Sequence, residues 1–319
     1  MRVRLDLSLE KYLIYFVSIF DNLPHCAGLS SGHNEHCVSA IRALARSTLP
    51  IVMEHVRDEL LETRTVDRLR VQIYRGRRAM GIAAAQDVAT EMHRLLGHKS
   101  TLRMIFAAAP SQSEFLDELG RAADLDWSRV TVFQLDEYLG LPPDAAQSFG
   151  RFLRDNLFER VRPGIAHFID GARSASLEAD RYADLLAAAP IDIVCLGIGE
   201  NGHLAFNDPP DASFDDPAAV KAVALELASR QQQVNDGCFP SLDSVPTHAL
   251  TVTIPTIMSG RRLFCVVPGQ AKAEAVCHAL SGAISPACPA SILRRHASCT
   301  LYLDADSSRL LNSEPQPLR

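Results

Sequence analysis

Five polar side chains lie in one short glycine-rich segment, and their types could support proton transfer. The segment Gly197–Pro209 (Gly-Ile-Gly-Glu-Asn-Gly-His-Leu-Ala-Phe-Asn-Asp-Pro) follows the apolar run Ile191–Leu196, which is typical of a buried strand in a parallel sheet. Three glycines within six residues let the backbone turn tightly and approach a ligand. Because His203 stands five residues before Asp208 on this turn, the pair is a candidate proton carrier. Glycine spacing alone would indicate only a turn.

A pair of adjacent carboxylates follows a second strand-like run. The run Val130–Leu135 ends directly on Asp136 and Glu137, and Gly140 and two prolines come next. In an open parallel sheet all strand carboxyl ends lie on one edge, so we expect Asp136 to lie near His203. The alternative is that Asp136 caps a turn while Glu137 is solvated.

Two more strand-like runs end on residues that suit an anion. After Leu102–Ala108 a predicted helix opens with Ser111, Gln112 and Ser113. Hydroxyls and backbone N–H groups at a helix start bind anions, although a serine there is equally an ordinary N-cap. After Leu263–Val267 comes Lys272 in the first turn of another predicted helix, a position that suits a phosphate. A lysine that is merely solvated remains the alternative.

Alternating strands and helices predict the elements that must position these residues. Strand-like runs are expected at Leu102–Ala108, Val130–Leu135, Ile191–Leu196, Leu250–Ile254, Leu263–Val267 and Thr300–Leu303. Helices are expected at Ala79–Leu96, Ser113–Ala123, Ser148–Val161, Leu177–Ala188 and Ala271–Leu280. This alternation predicts an α/β fold with a doubly wound, mostly parallel sheet and helices on both faces, similar to a Rossmann fold.

Three segments follow from the pattern. Residues 66–311 form the predicted α/β domain, residues 312–319 a polar tail, and residues 1–65 an N-terminal extension that does not share the pattern. The extension holds a predicted helix from Val38 to Glu62 and a cluster of histidines and cysteines between His25 and Cys37. That cluster matches none of the common zinc spacings, so loop histidines and free thiols are the favoured interpretation and no metal is expected.

Composition excludes several classes of protein. A net charge of -6 argues against a nucleic-acid-binding surface, and 47% hydrophobic residues are ample for a packed core. Eight cysteines without a C-x-x-C motif suit a reducing cytoplasm. No apolar run approaches the roughly 18 residues of a membrane span, and the N-terminal run Tyr12–Phe20 lacks a convincing cleavage site, so neither a membrane anchor nor a secretory signal is expected.

Four motifs carry a resemblance to a known family. Phe133–Pro142, Gly197–Pro209, Ala249–Val252 and Gly269–Glu274 resemble the glucosamine-6-phosphate deaminase (isomerase) family, in the same order, and the likeness spans about residues 66–311. The wider superfamily includes 6-phosphogluconolactonases. Those typically carry Asp-Glu-Arg where this chain has Asp-Glu-Tyr138, and Ala-Ser-Leu-Phe where it has Ala205-Phe-Asn-Asp, so the deaminase side is favoured.

The resemblance implies a reaction and its residues. Glucosamine 6-phosphate, or a close isomer, would become fructose 6-phosphate and ammonia, an aldose–ketose isomerisation with deamination that is grouped with the hydrolases and needs no cofactor. Asp136 would move the C2 proton, and His203 would open the ring with Asp208 as its acid. The implied substrate- and phosphate-binding residues are Ser111, Gln112, Ser113, Gly199, Gly202, Arg230 and Lys272.

Three departures from the family pattern concern the charge of the site. Asn201 stands where the family has Asp, and Asp208 where it has Glu, so His203 is expected to be a weaker proton carrier. Glu114 would repel a phosphate if it pointed inward. An arginine that the family uses on the phosphate is replaced near Gln231–Asn235, which leaves Arg230 as the substitute.

Two alternatives to the deaminase stay open at this point. One is a hydrolase of the 6-phosphogluconolactonase type, and the other is a non-catalytic sugar-phosphate-binding homologue that lost the acid at position 201. In each case the partner is a small phosphorylated sugar, with neither nucleic acid nor membrane involved. Self-association into a homo-oligomer is an open alternative.

Overall fold

An eight-stranded sheet forms the centre of the described part of the chain. The computed structural model describes residues 59–142, 144–209 and 211–311. In spatial order the strands are β1 (Leu60–Val66), β2 (Leu69–Tyr74), β11 (Cys299–Asp304), β10 (Arg262–Val267), β7 (Ile193–Leu196), β3 (Leu102–Phe106), β4 (Val130–Gln134) and β6 (Ile165–His167). All neighbours are parallel except β1 and β2, which form an antiparallel hairpin.

Helices and a second, smaller sheet complete the fold. The helices are α1 (Arg77–Leu96), α2 (Ser113–Leu119), α3 (Phe149–Leu153, continued by a π-helical turn at Arg154–Phe158 and a last turn at Glu159–Val161), α4 (Ala175–Ala187), α5 (Leu227–Asn235), α6 (Ile254–Met258) and α7 (Ala273–Ser281). The smaller sheet is antiparallel and holds β5 (Asp136–Tyr138), β9 (His248–Val252) and β8 (Val220–Ala224). The predicted α/β fold with a mostly parallel sheet is confirmed.

Both faces of the large sheet are covered. All four residues of β7 and all six of β11 are buried. Because successive residues of a strand point to opposite faces, a fully buried strand must have packing on both sides. α1 packs over β10 and β11 and against α2.

The winding of the chain creates a crevice in the middle of the sheet. From β3 the chain moves outward to β4 and β6, then returns to β7 on the other side of β3 and moves outward again to β10 and β11. The direction of winding therefore reverses between β3 and β7. In open α/β sheets the carboxyl ends of the strands at such a reversal form the ligand crevice.

Two expectations about the elements were wrong. Leu60–Val66 forms β1, so residues 60–65, which we expected to lie outside the domain, belong to its sheet, and residues 60–62 are not the end of the predicted helix. β1 is an edge strand with mostly exposed, charged residues, so it shows no apolar alternation. The run Leu250–Ile254 is a strand only to Val252, in the antiparallel sheet, and Ile254 begins α6.

Several predictions concern residues that lie largely or wholly outside the described ranges. The N-terminal apolar run, the His/Cys cluster, nearly all of the predicted helix Val38–Glu62 and the tail 312–319 lie outside the described residues. Of the cysteines in the described ranges, five are buried and none forms a disulfide. Among the helices of those ranges, none is both long and apolar enough to cross a membrane.

Tyr182 makes hydrogen bonds to the main chain of Gln134, the last residue of β4. Its side chain is fully buried, the N–H of Gln134 donates to its hydroxyl oxygen (2.8 Å), and the hydroxyl donates to the carbonyl of Gln134 (2.9 Å). These bonds fix the residue at which β4 ends, two positions before Asp136.

We expect Tyr182→Phe to lower the free energy of unfolding by about 1–3 kcal/mol, because two buried main-chain groups lose their partner. Tyr74→Phe is the matched control, since the hydroxyl of Tyr74 makes one long hydrogen bond, to Gln72 (3.3 Å). Urea unfolding of both variants measures the difference. Equal losses in the two variants would contradict the role given to Tyr182.

Candidate active site

Four neighbouring strands deliver the predicted residues to one edge of the sheet. β10, β7, β3 and β4 are adjacent in that order, and their carboxyl ends lead respectively to Lys272, the Gly197–Pro209 segment, Ser111 and Asp136. The crevice between β3 and β7 lies in the middle of this set. The topology therefore brings together the regions that the sequence predicted would converge.

The glycines after β7 shape a turn that carries His203. Gly199 accepts a hydrogen bond from the N–H of Gly202 (3.0 Å) and donates its own N–H to the carbonyl of His203 (3.0 Å). A Cβ on Gly199 would lie 2.2–2.4 Å from three atoms of the imidazole ring. Gly202 has a φ of 85°, a conformation that favours glycine. Both residues thus determine where the imidazole lies, while their predicted contact with a substrate remains a prediction.

His203 forms a buried pair with Asp208. Its Nδ1 lies 2.9 Å from Oδ1 of Asp208, and both side chains are nearly inaccessible. The hydroxyl of Ser229 lies 3.0 Å from the same ring nitrogen and also donates to Oδ1 of Asp208. With an ionised carboxylate beside it, Nδ1 carries the proton and Nε2 is left as the acceptor. Within the described residues Nε2 has no hydrogen-bond partner.

Hydrogen bonds keep Asp208 charged although it is buried. Burial acts to raise the pKa of this carboxyl, but the hydrogen bond and charge of His203, and then the hydrogen bonds of Asn201 and Ser229, outweigh it, so the pKa is lowered. Carboxylates that accept several donors behave in this way. Asp208 is therefore ionised at neutral pH and can stabilise a protonated His203.

Asn201 has a different task from the one expected. Its Nδ2 donates to Oδ1 of Asp208 (2.9 Å), and its Oδ1 accepts the N–H of His203 (3.1 Å). The charge that faces the imidazole comes from Asp208, so the missing acid at position 201 does not leave His203 without a counter-charge. The expectation of a weaker proton carrier is not supported by this geometry.

Asp136 is also a buried carboxylate, but unlike Asp208 it accepts no hydrogen bonds from the described residues. It begins β5, where it pairs with Thr251 of β9, and its side chain is 8% exposed. No described residue donates a hydrogen bond to its carboxylate. Burial first, then the negative charges of Glu137 and Asp208, raise its pKa well above the ordinary value. Asp208, in the turn after β7, is thus one of the charges that disfavour the ionised form of Asp136.

Lys272 is a buried cation at the end of β10. Gly269, with a φ of 92°, turns the chain, and its N–H donates to both carboxylate oxygens of Asp304 (3.0 and 3.1 Å). Burial lowers the pKa of Lys272, whereas Asp236 and Glu200 act to raise it. Asp304 and Asp236 were not predicted from the sequence, because neither stands in a motif that suggests a site.

Ser111–Ser113, which we call the serine turn, follows β3 and does not cap a helix through its side chains. No side-chain capping hydrogen bond is made at the start of α2, so the N-cap alternative for Ser111 and Ser113 finds no support. Glu114, which could have repelled an anion, forms an ion pair with Arg77 (Nε–Oε1 2.6 Å).

Two of the predicted binding residues, Gln112 and Arg230, donate hydrogen bonds to main-chain carbonyls. Nε2 of the buried Gln112 donates to the carbonyl of Val266 (3.0 Å), so this side chain joins the turn after β3 to β10, and its Oε1 is buried with no hydrogen-bond partner among the described residues. Arg230 donates from Nη2 to the carbonyls of Leu242 (2.7 Å) and Val245 (3.0 Å). These contacts occupy part of the donor capacity of both side chains, and the phosphate roles predicted for them stay predictions. Ser229, which precedes Arg230, was missed, because a single serine on a helix gives no signal in the sequence.

Comparison with known proteins finds relatives of this chain among sugar-phosphate enzymes. The family model for glucosamine-6-phosphate isomerases/6-phosphogluconolactonase matches residues 76–302. The chain is 41% identical over 191 residues to the glucosamine-6-phosphate deaminase of Exiguobacterium sp. strain AT1b, covering 59% of this chain and 73% of that protein. It is 39% identical over 192 residues to the enzyme of the same name from Bacillus thuringiensis (strain Al Hakam), covering 60% and 71%.

Solved structures agree with these sequence relatives. A monomeric glucosamine-6-phosphate deaminase superposes with a TM-score of 0.70 at 32% identity, covering 75% of this chain and 99% of that one. A 6-phosphogluconolactonase from Shewanella baltica superposes with a TM-score of 0.63 at 18% identity, covering 76% and 98%. At that identity the likeness to the lactonase extends to the fold alone.

The contact between Asn201 and Asp208 predicts the effect of restoring an acid. In Asn201→Asp a carboxylate would replace the donor to Asp208, and the two like charges would raise the pKa of the pair. An acid whose folded-state pKa is raised destabilises the protein above its unfolded-state pKa. We therefore expect the variant to lose about 1–3 kcal/mol of stability at neutral pH, and the loss to shrink toward pH ~4.

Urea unfolding at several pH values measures this effect. Asn235→Asp, on the exposed end of α5, is the control for a new acid outside the site. A variant Asn201→Asp that is as stable as the wild type at neutral pH would show that Asn201 is not the donor that Asp208 needs.

Proposed function

Because the chain belongs to the family of glucosamine-6-phosphate isomerases and 6-phosphogluconolactonases, we propose that it converts glucosamine 6-phosphate to fructose 6-phosphate and ammonia. Relatives that carry the name of this deaminase are 41% and 39% identical to it. The observation that carries the proposal is a pair of buried carboxyls, Asp136 and Asp208, whose pKa values are moved in opposite directions. Environments that separate two such pKa values are typical of paired acid and base roles.

Asp136 is the proposed base. The reaction moves a proton from C2 of the open-chain sugar to C1, and a second proton from the amine nitrogen to the C1 oxygen. The product is an imine at C2, which water hydrolyses to the ketone and ammonia. Asp136 would take the proton from C2 and return it to C1. Its raised pKa makes the ionised form a stronger base than an exposed aspartate, and this suits proton abstraction next to a carbonyl.

His203 is the proposed group for opening the ring. Asp208 and Ser229 lie at its Nδ1, so Nε2 can exchange a proton between the ring oxygen and the C1 hydroxyl. Asp208 would stabilise the imidazolium that forms, and Asn201 would hold Asp208 in place. This division of labour weakens the case for a non-catalytic homologue, which rested on the missing acid at position 201.

Lys272 and the turn with Ser111 and Ser113 are the proposed phosphate site. Burial disfavours the ammonium form of Lys272, and a phosphate beside it would favour that form again. The hydroxyls and N–H groups of the serine turn are the other donors near this edge. Gln112 and Arg230 are weaker candidates for this site, because Nε2 of Gln112 and Nη2 of Arg230 already donate to main-chain carbonyls.

The cellular compartment and the oligomeric state of the protein are also proposals. The free cysteines of the described ranges suit a reducing cytoplasm. A homo-oligomer is compatible with the family resemblance, and sedimentation of the purified protein would decide it.

Incubation of the purified protein with glucosamine 6-phosphate tests the function itself. We expect equal amounts of ammonia and fructose 6-phosphate without an added cofactor. Hydrolysis of 6-phosphogluconolactone in a parallel assay, with no ammonia from the amino sugar, would favour the lactonase alternative instead. A melting shift on binding without turnover of either compound would favour the non-catalytic homologue.

We predict that Asp136→Asn lowers kcat by roughly 10²–10⁴-fold, because it removes the proton acceptor and changes little volume. Binding of the substrate, measured by calorimetry, should stay within a few-fold of the wild type. Asp243→Asn, which alters an exposed acid outside the crevice, serves as the control. Wild-type kcat in Asp136→Asn would remove the proposed base.

We predict that Lys272→Ala raises KM by roughly 10–100-fold, the loss of one charge-assisted hydrogen bond, with a smaller change in kcat. Lys221→Ala is the matched control, because Lys221 lies outside the crevice and pairs with Asp216 (2.7 Å). Steady-state kinetics of the two variants make the comparison. An unchanged KM in Lys272→Ala would place the phosphate elsewhere.

A further inference from the structure

Glu137 is a buried acid to which the proposed reaction gives no task. It is 4% exposed and directly follows Asp136 in β5. Its carboxylate accepts five hydrogen bonds, from Ser148 Oγ (2.8 Å), Gly150 N (2.9 Å), Tyr138 N (3.0 Å), Phe149 N (3.1 Å) and Gln134 Nε2 (3.4 Å). These donors offset the cost of burying the carboxylate and hold it in one position.

These donors favour the negative charge of Glu137. Two of them are main-chain N–H groups of the first turn of α3, where the backbone of a helix presents positive ends. Hydrogen bonds from such groups to an ionised carboxylate are stronger than those between neutral groups. The charge is therefore fixed in one place, and it ties β5 to the start of α3.

The position of this charge matters for its neighbour. Successive residues of a strand point to opposite faces, so the side chain of Glu137 lies against the start of α3 and that of Asp136 lies on the other face of β5. No hydrogen bond with a described residue compensates the carboxylate of Asp136, so it responds to the field around it. After burial, the charge of Glu137 is the largest cause of the raised pKa of Asp136 and precedes that of Asp208.

We propose that Glu137 is a positioning residue for the reaction, whose fixed carboxylate holds β5 against α3 and makes Asp136 a stronger proton acceptor through its negative charge. The inference rests on the proposed function, in which Asp136 is the base. It assigns a role to a residue that would touch no substrate atom.

Other charged and titratable groups also face this pair. Asp208, with its partner His203, acts on Asp136 from the turn after β7. Arg154 of the π-helical turn lines a small cavity of about 20 Å³ together with Glu137, and its guanidinium lies 4.7 Å from the ring centre of Phe168. The buried hydroxyl groups of Tyr138 and Tyr182 lie in the field of Asp136 as well.

The pH profile of Glu137→Gln tests the charge. Glutamine keeps the shape and removes the charge, so the pKa of Asp136 should fall and the acidic limb of kcat/KM should move to lower pH by roughly one to two units. The plateau rate should fall severalfold, because a base with a lower pKa abstracts the proton less readily. A lower rate with an unmoved acidic limb would mean that Glu137 only packs, and would overturn the proposal.

Ser148→Ala is the matched control. It removes one donor to Glu137, at 2.8 Å, but leaves the charge in place. We expect a loss of stability in urea with an acidic limb that stays where it is in the wild type. A limb that moved equally in Ser148→Ala and Glu137→Gln would trace the effect to the packing of α3 and contradict the proposal.

A titration by ¹³C NMR needs neither turnover nor a Glu137 variant. Side-chain carboxyls are labelled in aspartate and glutamate, and the signal of Asp136 is the one lost in Asp136→Asn. We expect that signal to titrate above the ordinary range, and one glutamate signal to respond to that titration. The absence of any glutamate signal that responds to Asp136 would overturn the proposal. A wild type that releases no ammonia would instead defeat the proposed function and leave this titration interpretable.

Discussion

The need to keep a buried carboxylate charged explains most of the local structure around the crevice. Asp208 is removed from water, and burial alone would neutralise it. Three side chains donate to it or pair with it, namely His203, Asn201 and Ser229. Their positions require the tight turn at Gly199, which leaves no room for a side chain beneath the imidazole. One interaction thus fixes the histidine, its tautomer and the shape of the turn.

A second buried carboxyl at the same edge of the sheet, that of Asp136, has a pKa that is raised instead of lowered. Asp136 has no donors among the described residues and lies near two negative charges, whereas Asp208 has several donors. Two carboxyls whose pKa values are shifted in opposite directions can take separate acid and base roles at one pH. The parallel sheet brings the ends of β4 and β7, which lead to these two residues, to the same edge. Lys272 adds a buried positive charge from β10.

The parallel sheet and the residues at its strand ends could be predicted from the sequence, because buried parallel strands are continuous apolar runs and their carboxyl ends meet at one edge. His203, Asp208, Asp136 and Lys272 were found in this way. Ser229 and the Asn201–Asp208 bond could not be found, since they depend on how a helix and a turn approach in space. The β1–β2 hairpin was missed because its edge strand is exposed and charged. Gln112 and Arg230 were chosen by residue type, and in the structure Nε2 of Gln112 and Nη2 of Arg230 donate to main-chain carbonyls.

The central claim is that these side chains act together on one phosphorylated amino sugar. A crystal structure with the amino alcohol obtained by reducing glucosamine 6-phosphate, which cannot isomerise because it lacks the C1 carbonyl, tests it most directly. The account predicts the phosphate at Lys272 and the serine turn, C2 within reach of Asp136, and the C1 and C5 hydroxyls facing Nε2 of His203. An analogue bound with its phosphate away from Lys272, or with Asp136 and His203 in separate cavities, would contradict the account.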